Sequence, residues 1–244
     1  MDFLLNLNWL AVGQIILIDI LLGGDNAIVI AMACRNLPRR HRIRGILWGT
    51  FGAIGIRIIL IAFAVTLLEV PYLKIVGGLL LFWIGVKLLA ESDEGHDEVH
   101  ASERLLTAVK TIIVADLVMS IDNVIAVASA AEQTGGGNEL LLVTFGILVS
   151  IPIIIWGSTM ILKLMEHFPW IVTFGAGLLG YLAGGMILSD VGLAARMAPI
   201  LPPLDIVVPI FDVHLSIPGL FCAIAVVAVG NWLAKREEAR NEKS

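Results

Sequence analysis

The 244-residue chain is 58% hydrophobic and only 15% charged, a balance too apolar for an ordinary soluble domain of this size and suited to lipid as the solvent. Its net charge is −5, and the cationic residues cluster at the ends of apolar segments, which argues against a nucleic-acid surface.

Windows of about 19 residues predict an all-α polytopic membrane protein with spans near 9–33, 45–68, 70–90, 109–131, 140–162, 169–189 and 216–233. The start, Met1-Asp2-Phe3, lacks the positive flank of a signal peptide, and the first span carries Asp19 and Asp25, so this segment is expected to remain in the mature protein. Arg35, Arg39, Arg40, Arg42 and Arg44 follow the first span and mark the first link as cytoplasmic, with the N-terminus outside. Carrying that orientation forward puts the acidic linker 91–108, the Lys163–His167 link and the tail with Lys235, Arg236, Arg240 and Lys243 inside. The Glu132–Glu139 link has no Lys or Arg and falls outside. The stretch from Val191 to Leu215, with Pro199, Pro202, Pro203 and Pro209, reads as a loop with short interfacial pieces. Cys34 and Cys222 lie in different spans with no ligand spacing and read as packing residues.

An internal repeat organises these spans. Ile15-Ile16-Leu17-Ile18-Asp19 returns as Ile112-Ile113-Val114-Ala115-Asp116, and Asp25-Asn26-Ala27-Ile28 returns as Asp122-Asn123-Val124-Ile125, at an offset of 97 residues. Thr50-Phe51-Gly52 returns as Thr144-Phe145-Gly146, and Pro71 with Gly77 returns as Pro169 with Gly175. A unit of three spans has an odd number of crossings, so its second copy enters the membrane from the opposite side. Residues 1–90 and 109–190 are therefore expected to form inverted repeats, with the seventh span and tail in 191–244 outside the pair.

The matched carboxylates carry the functional argument. An intramembrane carboxylate costs about 2.5–3.5 kcal/mol at a helix centre on the insertion scale, and Asp19, Asp25, Asp116 and Asp122 occupy repeat-matched places. The bland reading is local hydrogen bonding or pairing with Arg57 in the second span. The functional one is a metal site made by Asp25, Asn26, Asp122 and Asn123, whose two carboxylates and two amide oxygens suit Mn²⁺, Ca²⁺ or Mg²⁺. No His or Cys adjoins them, although Met32 and Met119 are near enough for a thioether to favour a transition metal. Gly23-Gly24 invites a hinge whose freed carbonyls could join the ion, or else close helix packing; Ser120-Ile121 replaces it in the second copy. Asp19 stands six residues before Asp25, about 9 Å along a helix but roughly 120° out of line. Asp19 and Asp116 therefore read as carboxylates on opposite access paths, with Arg57 able to hold one of them. His96 and His100 read as part of a solvated acidic linker and His214 as an interfacial polar residue.

Through Gly23-Gly24-Asp25-Asn26-Ala27, Ser120-Ile121-Asp122-Asn123-Val124 and its seven-span length, the chain resembles the TerC family of integral membrane proteins, in particular its YjbE-like branch. The resemblance implies export of divalent manganese as substrate, with the Asp-Asn pairs as ligands and no resident cofactor. It leaves a homo-oligomer open. No Walker motif is present, so a secondary transporter driven by an ion gradient or by the metal's own gradient is expected rather than an ATPase, and not an enzyme. An intramembrane aspartyl protease would also need two membrane aspartates, but Leu22 stands where its Gly-x-Gly-Asp pattern needs glycine. A membrane partner or insertion factor would act through the acidic linker.

Overall fold

The structure is a computed structural model that describes residues 13, 17, 23–63, 70–91, 101–132, 139–197, 205–208 and 213–241. In order these form α1 (Gly24–Cys34), α2 (Arg39–Ala62), α3 (Leu73–Ala90), α4 (Ala101–Glu132), α5 (Glu139–His167), α6 (Trp170–Leu188), α7 (Val191–Met197), strands β1 (Asp205–Val208) and β2 (Val213–Ser216), and α8 (Ile217–Asn241). Five of these helices are long and apolar enough to cross a membrane, and α1 is a shorter apolar helix. Bulky side chains such as Trp48, Trp156, Phe221 and Ile224 point outward and are exposed, as a surface solvated by acyl chains allows. The chain is thus an integral, polytopic, mainly α-helical membrane protein.

Several boundaries differ from the sequence expectation. Helix α2 starts at Arg39 because Pro38 holds an extended conformation before it, so Arg39, Arg40, Arg42 and Arg44 lie on its first turns. Arg42 then reaches back, donating from Nε to Leu37 O at 2.8 Å and from a terminal guanidinium nitrogen to Arg35 O at 2.9 Å. These carbonyls close the end of α1 and the link after it. Helix α4 begins well before residue 109: Ala101-Ser102-Glu103-Arg104-Leu105-Leu106 is made of residues that favour helix, with Glu103 in the positive first turn. The stretch Val191–Leu215, expected as a loop with short interfacial pieces, contains the short helix α7 and an antiparallel hairpin pairing Asp205 with Ser216 and Val208 with Val213. Ser216 then caps α8, its hydroxyl accepting from Gly219 N–H at 3.4 Å.

The chain condenses into two compact units, one of residues 1–68 with 102–163 and one of 69–101 with 164–244. The second unit is a glycine-packed bundle of α3, α6 and α8. A Cβ at Gly184 would lie 2.5 Å from Pro218 O, one at Gly180 2.7 Å from Cys222 O, and one at Gly78 2.7 Å from Ala183 O, so backbone meets backbone at these crossings. Asp190 fixes its ends. The carboxylate is 1% exposed and accepts N–H bonds from Tyr72 (3.0 Å), Lys74 (3.2 Å), Gly192 (2.9 Å) and Leu193 (3.2 Å), capping α3 and α7 together. It also holds Tyr72 in the left-handed conformation, at φ 67°.

The first unit is built differently. Gly49 and Gly52 of α2 lie against Ile112 and Ile113 of α4, Gly45 admits Cys34 and Leu37, and Ala27 of α1 reaches Gly157 of α5. Among the described residues, every buried polar side chain except Asp190 belongs to this unit: Asn26, Thr50, Arg57, Asp116, Ser120, Ser150 and Ser158. Ser150 and Ser158 return their hydroxyls to carbonyls in their own helix, at 2.8 and 2.7 Å, which satisfies them locally. The other five are the material of a site.

Candidate intramembrane polar site

Gly23 stands at the start of α1. Gly13 and Leu17 are helical, Gly23 is not (φ −104°, ψ 3°), and α1 begins at Gly24. Asp25 and Asn26 therefore occupy the first turn of a new helix, and the Asp25 carboxylate accepts the Asn26 N–H at 2.8 Å. A Cβ at Gly24 would meet nothing within 4 Å, so close helix packing does not explain the glycine there. At the matching positions of the second copy, α4 runs unbroken through Ser120 to Asn123.

Asn26 is 4% exposed, and neither its amide oxygen nor its amide nitrogen has a hydrogen-bond partner. Thr50 Oγ1 on α2 is likewise buried without a partner. Such groups are uncommon, because each forfeits its water without compensation.

Facing Asn26 is a closed polar ring. The Arg57 guanidinium pairs with Asp116 Oδ1, Arg57 Nε donates to Ser120 Oγ at 3.0 Å, and Ser120 Oγ donates to Asp116 Oδ2 at 3.2 Å. All three residues are buried. The spacing of Asp116 and Ser120 along α4 puts both on one face. Asp25 feels the charges of both Arg57 and Asp116, so α1, α2 and α4 bring Asp25, Asn26, Arg57, Asp116 and Ser120 into one neighbourhood.

Of the sequence-derived candidates, Arg57 is thus found with Asp116, and Asp25 and Asn26 beside them. Asp19, His96 and His100 lie outside the described residues, as do the side chains of Asp122 and Asn123. Among the described residues no three His, Cys, Asp or Glu side chains gather into a metal cluster. Ser120 and Thr50 did not enter the sequence-derived site. Thr50 had a signal in the returning Thr-Phe-Gly triplet; Ser120 had only its helical spacing from Asp116.

A polytopic helical protein that buries an ion pair and an unpartnered amide inside its apolar helices, with a half-buried carboxylate beside them, is a membrane protein with an internal polar site. A model of the TerC integral membrane protein family matches residues 5–238, and the chain belongs to that family. It is 47% identical over 182 residues to the membrane protein YjbE of Bacillus subtilis (strain 168), covering 74% of this chain and 80% of YjbE. It is also 28% identical over 178 residues to the inner membrane protein YgdQ of Escherichia coli (strain K12), covering 66% of this chain and 73% of YgdQ. No solved structure matches the chain.

Proposed function

We propose that this protein is a secondary transporter that carries divalent manganese out of the cell by alternating access, and that it is not an enzyme. The observation that carries the reading is Asn26: a buried amide with both polar atoms unpaired, next to Asp25 and across from Asp116. Protein interiors do not keep such a group for stability, and its oxygen with nearby carboxylates offers the hard donors a small dication takes. The repeat-matched Asp122 and Asn123 complete the proposed ligand set. Manganese and the outward direction rest on the family resemblance; the donor set alone serves Ca²⁺ or Mg²⁺ as well. The cationic residues beside the spans support an outer N-terminus and a cytoplasmic C-terminus.

Metal flux into proteoliposomes of the purified protein, measured with Mn²⁺, Ca²⁺, Mg²⁺ and Zn²⁺ in turn, tests the proposal. Mn²⁺ flux that disappears in Asp25→Ala supports it. Absence of flux for every ion, or undiminished flux in that variant at equal protein, overturns it.

A further inference from the structure

Asn26 and Asp116 line one small cavity of about 10 Å³, walled otherwise, among the described residues, by Val29, Ile30 and Ile112. That is about the space that admits a single water-sized guest. Its two polar walls are in opposite conditions. The Asn26 amide has no partner, whereas both Asp116 oxygens are engaged, one by Arg57 and one by Ser120. A neutral amide cannot by itself hold a dication among aliphatic walls, and among the described residues Asp116 is the charged group that lines this space.

We propose that Asp116 is a ligand of the transported metal and that Arg57 is its tethered counter-ion: the dication takes the Asp116 carboxylate from the guanidinium, and Arg57 reclaims it when the metal leaves. The inference rests on the transport reading and adds to it one ligand and one competitor. Its physical reason lies in the empty state. A transporter must return without cargo, and a bare carboxylate among apolar helices is the costly species in that return. Arginine does not lose its proton in proteins, so Arg57 supplies a permanent positive charge that neutralises Asp116 whenever the metal is absent. With metal bound, the same charge repels the dication and keeps binding weak enough for release. Ser120 bridges Arg57 and Asp116 through a single hydroxyl, giving the carboxylate a partner that persists when the guanidinium shifts. The device belongs to one repeat only: at the Thr-Phe-Gly offset the residue matching Arg57 is Ile151.

Equilibrium Mn²⁺ binding to the purified full-length protein, read from the loss of the free-ion electron paramagnetic resonance signal, tests this. Removing the competitor in Arg57→Met should tighten binding about tenfold, toward the low end of what close buried charge pairs exert, and slow Mn²⁺ flux in proteoliposomes. Asp116→Asn should weaken binding about tenfold or more. The double variant Arg57→Met/Asp116→Asn removes both members of the ion pair together and should bind as weakly as Asp116→Asn alone, since Arg57 acts through Asp116. Wild-type affinity in Arg57→Met, or in the double variant, overturns the inference while leaving the transport reading standing. Should Arg57→Met not fold, the double variant carries the test by itself. A wild-type protein that binds no Mn²⁺ removes the transport reading and this inference together.

Discussion

Asn26 sets stability against function at a single position. Leaving a buried polar group unpaired costs roughly 1–3 kcal/mol, so Asn26→Ala is expected to hold the thermal midpoint in detergent or raise it, the lost volume offsetting part of the gain. Mn²⁺ flux should nevertheless fall by about tenfold or more, one charge-dipole contact being worth that much in a dry site. A variant that melts earlier with flux intact would show that the amide serves the fold. Asp25 gives the complementary case: Asp25→Ala should abolish flux, while His96→Ala and His100→Ala in the acidic linker change it little. Equal losses in all three would move the site to the linker. The Asp25-Asn26 pair was legible in the sequence because ionisable residues in apolar spans are rare enough to demand a reason. That the Asn26 amide lacks a hydrogen-bond partner was not legible, since satisfaction depends on which helices face it.

At the scale of the element, the sequence reading located spans better than their ends. Hydropathy marks where lipid begins, but a helix continues into water while its residues favour helix, as α4 does from Ala101 and α8 does through Lys235 and Arg236 to Asn241. Glycines behave in two distinct ways. Gly184→Ala drives a Cβ into the backbone of α8 and should destabilise the protein by roughly 1–3 kcal/mol or more, whereas Gly24→Ala finds open space. A lower thermal midpoint for Gly24→Ala than for Gly184→Ala would contradict this assignment. Asp190 adds a pH dependence to the junction of α3 and α7. Burial acts most strongly on it and raises its pKa, but the N–H groups of Tyr72, Leu193, Gly192 and Lys74 together outweigh burial and hold it below the usual carboxylate range. An unfolded Asp titrates near 3.9, so the unfolded chain takes up this proton first as pH falls. The contribution is therefore complete above about pH 4 and is lost as pH drops toward the folded value. Wild-type protein should accordingly lose more thermal stability than Asp190→Asn between about pH 6 and about pH 3; identical losses would remove Asp190 from the account.

On the scale of the whole molecule, each compact unit draws on both halves of the sequence, the first holding residues 1–68 with 102–163. Spans matched by the sequence repeat fall in the same unit, the first two with the fourth and fifth and the third with the sixth. The 97-residue offset of the Asp-Asn pairs made the repeat readable in the sequence, while the grouping of spans into units was not, because a repeat specifies which segments are alike and leaves open which ones pack. Inversion requires an odd number of crossings per copy, so the topology is its most direct test. In a background lacking Cys34 and Cys222, single cysteines at His96, Gly136 and Lys243 probe the first inter-repeat linker, the 132–139 link and the tail. With the arginine-rich start of α2 on the cytoplasmic side, a membrane-impermeant maleimide should label only Gly136→Cys in intact cells, and the other two only after permeabilisation. Labelling of His96→Cys and Gly136→Cys from the same side would require an even number of crossings between them, and α4 then could not enter the membrane opposite to α1. In that event Asp25 and Asp122 would no longer be related by inversion, and two carboxylates at matched sequence positions would lie at different depths, unable to share one ion.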